Sequence, residues 1–263
     1  MNLVRLGVVL AALLPAGYAD INGSSSAPSY TAAGIVNAAT QIAGPLAPNT
    51  LGTLYGTNLA YTTRAAAVTD LVGGALPLSL DGVGITVGNL AANVLFISPG
   101  QINFVVPYSL TAGTVSVWVT RQGVAGPVVK MDLNATSPGL FPWTGNFAIA
   151  SHLDGSLVSA ASPASGGEII VIFAAGLGRV TPDTTPGRLA QAAAIIAALP
   201  QFQILLAGAP CPPANVLYAG LAPGFSGLYQ INLRLPAKLP PNPEIRLSIG
   251  DQISPAKINL AVQ

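Results

Sequence analysis

Charge is scarce in this chain. Of its 263 residues only 7% are charged, 10 Lys and Arg against 9 Asp and Glu. Such a balance supplies no basic field to gather phosphates and no acidic field to gather cations, so a nucleic-acid partner is not expected. Cys211 is the single cysteine, which excludes an internal disulfide and leaves the fold to stand on its core even in an oxidising compartment. In "APCPPA" it reads as a small buried apolar residue. With one histidine, His152, and one cysteine, a zinc site would have to draw on scattered carboxylates. Asp81, Asp183 and Asp251 are each isolated in sequence, so no calcium loop is expected either. The expectation is no metal and no cofactor.

What the chain has instead is apolar and turn-forming. Hydrophobic residues make up 51%, with 29 Gly and 23 Pro, a composition of many short strands and turns and too apolar for disorder. The length suits two domains of about 100 to 130 residues, each with its own core.

Residues 1–19, "MNLVRLGVVLAALLPAGYA", place Arg5 before an apolar stretch and small residues before Ala19. This is the pattern of a secretory signal cleaved after Ala19, with a retained anchor as the competing reading. Cleavage removes Arg5 and leaves a formally neutral chain. The longest later apolar runs, "IIVIF" (169–173) and "AAAIIAAL" (192–199), are far too short for a membrane span. The product is expected to be exported, to the cell surface, the extracellular space or a periplasm. Residues 20–33 are expected to form a flexible N-terminal segment.

The remainder is written twice. Gln101-Ile102-Asn103 precedes Gln230-Ile231-Asn232 by 129 residues, and each copy has "ANVL" upstream (92–95 and 214–217), Pro-Gly before it (Pro99-Gly100, Pro223-Gly224) and a closing proline (Pro107, Pro236). Alternating strands follow in both halves, "TVSVWVT" (114–120) and "EIRLSI" (244–249), and a last strand closes each, "PVVKMDL" (127–133) and "AKINLAV" (256–262). Period-two alternation, frequent turns and no helical period predict an all-β chain of two tandem immunoglobulin-like β-sandwiches related by internal duplication, 34–136 and 137–263. "RLAQAAAIIAAL" (188–199) is either a short helix or an irregular connection. In the repeat, Pro-Gly is read as a turn with glycine at positive φ. Gln101, Asn103, Gln230 and Asn232 are read as structural, bonding free backbone groups at the strand start.

The combination of "GIVNAAT" (34–40), "PLAPNTLGTLYGTNLA" (45–60), "SPGQINFVVP" (98–107), "SPGLF" (137–141), "GGEIIVIFAAGLGRVTP" (166–182) and "YAGLAPGFSGLYQINLRLP" (218–236) resembles the uncharacterised C-terminal domain family first described in Solibacter. "YGTNL" with "DGVGITVG" resembles, more distantly, the immunoglobulin-like IPT/TIG fold. The resemblance implies an exported β-sandwich module of acidobacterial type and transfers no activity.

Catalytic constellations are thin. His152 in "SHLDGS" has Ser151, Asp154 and Ser156 beside it, but neighbours in sequence rarely form a triad, and an Asp154-Gly155 hairpin turn accounts for the residues. No residue is assigned a catalytic role. The reading is a non-enzymatic adhesive or scaffolding module whose partner is an extracellular or cell-surface protein or a glycan. A carbohydrate-binding module, with Tyr108, Trp143 and Tyr229 as candidate contacts, and a hydrolase using His152 are the alternatives.

Overall fold

The computed structural model describes residues 26–263; the expected signal segment lies outside them. Among the described residues there is no α-helix, only strands and short 3-10 turns, and no helix is long and apolar enough to cross a membrane.

The first half contains β1 (Ile35–Asn37), β2 (Leu51–Tyr55), β3 (Arg64–Ala65), β4 (Val83–Val87), β5 (Leu90–Ala91), β6 (Asn93–Ser98), β7 (Gln101–Val105), β8 (Gly113–Arg121), β9 (Val124–Ala125) and β10 (Val129–Leu133). One sheet runs β1-β2-β7-β6-β3; the other runs β10-β8-β4-β5, with β9 on β8. The alternation read in "TVSVWVT" is real: Val117 and Val119 of β8 point into a core shared with Ile85, Ile102 and Phe104. The period of two puts one face of each strand inside.

The second half contains β11 (Gly139–Leu140), β12 (Pro142–Trp143), β13 (Phe147–Ala148), β14 (Ala150–His152), β15 (Ile169–Ala175), β16 (Val180–Thr181), β17 (Ile195–Ile196), β18 (Phe202–Leu206), β19 (Ala209–Pro210), β20 (Val216–Leu221), β21 (Tyr229–Arg234), β22 (Ile245–Ile249) and β23 (Gln252–Ile253). Its larger sheet runs β11-β15-β21-β20-β17-β16 with β14 also on β15, and its smaller one β19-β18-β22-β23. Ile204, Ile231, Ile245 and Leu247 meet in its core, and Cys211 is buried there, where burial pushes its thiol pKa up.

The two frames agree in register. Gln101 lies opposite Tyr55 and Ser98, and Gln230 opposite Phe173 and Gly220. The ladder slips by one residue between Val94 and Phe96 in one half and between Val216 and Tyr218 in the other. The leucine of each "ANVL" is thus the extra residue of a β-bulge. Each sandwich is also entered alike: Ser29 pairs with Thr57, and Gly139 with Ala175.

Three expectations need correction. From Ser26 on, the segment taken as flexible is laced into the first sandwich: the Tyr30 hydroxyl accepts from the Val119 amide at 2.7 Å and donates to the Pro127 carbonyl at 2.6 Å. Buried Arg121 donates to the carbonyls of Asn58 and Ser26 under the Tyr61 ring. Residues 256–262 make isolated bridges in place of a ladder strand, changing partners along the way: Asn259 bridges Phe147 and Glu244, and Val262 bridges Ala164. Gly100 is not among the positive-φ residues while Gly224 is, at 81°. Pro99-Gly100 form a two-residue turn, whereas Pro223-Gly224 open a longer loop from Ala222 to Leu228. Residues 188–199 form an irregular connection holding only β17.

The β1-β2-β7-β6-β3 sheet of the first half faces the larger sheet of the second. Leu51 and Val105 from one and Ile149, Val171 and Phe173 from the other form a third apolar cluster, with Phe141 of the connecting segment buried in it and Trp143 packed on its edge. The Leu76 amide donates to the Gly187 carbonyl at 2.9 Å and the Leu189 amide to the Gly74 carbonyl at 3.0 Å. Burying a large apolar side chain is worth about 1.5 to 3 kcal/mol, so a seam of this kind joins the sandwiches as a core does, not as a linker.

Candidate functional site

At one end of this seam the sandwiches part and leave a cleft of about 720 Å³, within the range of small-ligand sites. One wall is the 110–112 loop before β8; the other is Arg179, Gln201 and the 249–252 turn between β22 and β23. The connecting segment, Asn134 to Thr136, forms the floor. The Asn134 amide donates to Gln252 Oε1 at 3.3 Å, tying floor to wall. At the rim the Arg179 guanidinium pairs with Asp183 at 3.0 Å and sits 5.7 Å from the centre of the Tyr108 ring.

The three candidate aromatics fare differently. Tyr108 is half-buried beside the cleft through Arg179. Trp143 is half-buried on the seam, paired with Phe147. Tyr229 is withdrawn as a contact residue: it is 0% exposed, and its hydroxyl is bonded to the Gly178 carbonyl and Asn49. Burial pushes its pKa up, so it stays a neutral phenol.

The repeated triplets make one bond twice. Gln101 Nε2 donates to Asn103 Oδ1 at 2.8 Å, and Gln230 Nε2 donates to Asn232 Oδ1 at 2.8 Å. The amides therefore satisfy one another, not the backbone groups first expected, since side chains two apart on a strand share a face.

His152 finds partners that its sequence neighbourhood does not contain. Its Nδ1 lies 2.5 Å from Glu168 Oε1, and its Nε2 lies 3.2 Å from the Ser162 carbonyl and 3.3 Å from Ser162 Oγ. Ser156 instead donates to Asp154, in a turn. The hydrogen bond to Glu168 raises the His152 pKa against the effect of burial. Burial would raise the Glu168 pKa, but the Ser165 amide and His152 outweigh it and hold the carboxyl low. Sequence reasoning missed Glu168 because it lies sixteen residues away; only the pairing of His152 with Ile170 brings it near. Among the described residues no group of three or more His, Cys, Asp or Glu could hold a metal ion.

No family model matches the chain, and no curated protein does. Among solved structures it is similar to the surface glycan-binding protein PbSGBP-B from Prevotella bryantii, at 14% identity and a TM-score of 0.29, over 90% of this chain and 43% of that one. It is also similar to the SGBP-B of the Bacteroides ovatus mixed-linkage glucan utilization locus, at 10% identity and a TM-score of 0.33, over 83% and 42%. A third is the plexin A4 extracellular region, at 12% identity and a TM-score of 0.30, over 95% and 20%. The chain thus spans less than half the length of each of these, and at such scores the likeness carries nothing about ligand or activity.

Proposed function

We propose that the chain is an exported, non-enzymatic interaction module of the cell surface or extracellular space, a duplicated immunoglobulin-like unit of the Solibacter-type family, and that its cleft takes the ligand. The observation that carries this reading is the apolar seam. Because it fixes the sandwiches relative to each other, the cleft is formed before any ligand arrives, and a preformed site spends less of its binding energy on ordering. The paired Gln and Asn residues of the two triplets are scaffold in this reading, not contacts.

The test uses labelled protein of residues 20–263, bound to intact cells or extracellular matrix of the source culture. Ala112→Trp, which fills the cleft from an exposed wall position, is expected to abolish saturable binding. Val128→Trp, on an exposed position outside the cleft, is expected to leave it intact. Equal binding by both variants overturns the reading. Secreted material should begin at Asp20.

A second reading, hydrolysis at His152, is favoured by one observation, the Ser162–His152–Glu168 chain of contacts. It lacks support at the oxyanion side, where most of such catalysis arises: the Ser162 amide is already given to Ser159. A fluorophosphonate that labels Ser162, with labelling lost in His152→Ala, would establish it; an unlabelled protein disposes of it.

A further inference from the structure

Resting on the cleft as the ligand site, we propose that its ligand is an uncharged carbohydrate chain. The chemistry of the lining points there. Asn134, Gln201 and Gln252 line the cleft with amides, and Thr111 and Thr136 with hydroxyls; Asn134 is bonded to Gln252 and Gln252 Nε2 to Asp251 Oδ1, each amide keeping a second N–H and a lone pair for a ligand. Every one of these groups both donates and accepts, which is what a ligand of many hydroxyls demands, since each sugar hydroxyl does the same.

Charge argues in the same direction. Of the residues lining the cleft, Arg179 is the one cation and Asp251 the one anion, and the Arg179 guanidinium is engaged with Asp183. Such a site has no net field with which to select a polyanion over a neutral chain. Leu110 and Leu177 lie between the polar groups, giving apolar surface for the C–H faces of a sugar ring, and Tyr108 backs Arg179 at the rim.

A peptide is the weaker fit. Extended peptides gain affinity by adding to an exposed strand edge, whereas most of this lining comes from loops, turns and the connecting segment. A lipid is weaker still, because the amides would lose their water without gaining partners.

Affinity gel electrophoresis of residues 20–263 tests the proposal with dextran, xyloglucan, galactomannan and hydroxyethyl cellulose as neutral probes and alginate and polygalacturonate as acidic ones. At least one neutral probe is expected to retard the protein. Ala112→Trp is expected to abolish the retardation, and Gln201→Ala, at an exposed position, to weaken it about tenfold through the loss of a buried-on-binding hydrogen bond. Raising salt from about 50 to 500 mM should change affinity by less than about twofold, because no screened charge pair is involved. Preference for the acidic probes, or neutral binding that survives Ala112→Trp, overturns the proposal. Failure of every probe, while binding to cells still depends on Ala112, overturns it too and leaves the interaction module standing; loss of that dependence removes both. Unchanged thermal unfolding of each variant separates lost binding from lost fold.

Discussion

The two sandwiches share a frame and part company at its ends. At corresponding places, the end of β1 opposite β2 and the end of β14 opposite β15, the first half has Asn37 and the second His152. Asn37 is buried against the other sandwich, its amide donating to the Ser137 carbonyl at 2.9 Å and its Oδ1 accepting from the Ala39 amide at 2.9 Å. His152 faces no such neighbour and pairs with Glu168. Likewise, after β2 and after β15, Asn58 and Gly176 hold the same place, both at positive φ, 56° and 78°. A register common to both halves is therefore compatible with different side-chain chemistry, because the backbone ladder fixes where a residue stands and the neighbouring sandwich fixes what that residue must satisfy.

The largest effect is expected where this difference concerns backbone. A Cβ on Gly176 would lie 1.8 Å from the Ser137 carbonyl oxygen. Gly176→Ala should cost about 3 kcal/mol or more, from collision and positive φ together, while Asn58→Ala should cost about 1 kcal/mol. Urea unfolding of both variants checks this; similar costs would mean that the entry to the second sandwich is not held as tightly as its geometry indicates.

Next in size is Tyr229→Phe, which removes the hydroxyl bonded to Gly178 and Asn49. It should lower stability by about 1 to 3 kcal/mol, since buried partners are left unsatisfied, and should leave cleft binding unchanged in the same titration. The repeated triplets allow a smaller and more direct comparison. Gln101 is 4% exposed and Gln230 half-buried, so Gln101→Ala should cost about 1 to 2 kcal/mol and Gln230→Ala under about 0.5 kcal/mol. Equal losses would show that water does not reach the second copy as its exposure implies.

The smallest effect belongs to His152. Its raised pKa gives stability that is full below the unfolded value of about 6.5 and is lost as pH rises through the folded value; the lowered pKa of Glu168 gives stability present above about 4.3 and lost as pH falls through its folded value. The pair thus contributes most between about pH 4.5 and 6.5. His152→Ala should cost under about 1 kcal/mol near pH 5.5 and less by pH 8, measured by urea unfolding at both. A cost that grows toward pH 8 would contradict the pairing.

Much of the fold could be read from residues alone. The alternation in 114–120 and 244–249 reports which side chains enter a core, because a strand repeats every two residues whatever surrounds it. The doubled "ANVL" and Gln-Ile-Asn frame marked the two central strands and, without its being recognised, the bulge beside each. Of the site, only Tyr108 was named among candidates and only His152 was singled out for chemistry. Arg179, Gln201, Gln252 and Glu168 carry no local pattern, since each owes its place to a segment distant in the chain.

The continuous apolar run of "IIVIFAA" shows where the division falls. A short unbroken apolar run is consistent with a strand buried on both faces, and β15 is such a strand. What it could not determine was which core lay on which side. Ile170 and Ile172 fill the second sandwich, while Val171 and Phe173 meet the first. That assignment, and with it the seam and the cleft, was decided only by tertiary structure, because apolar surface has no direction of its own and gains its partner from the docking of segments that sequence spacing does not relate.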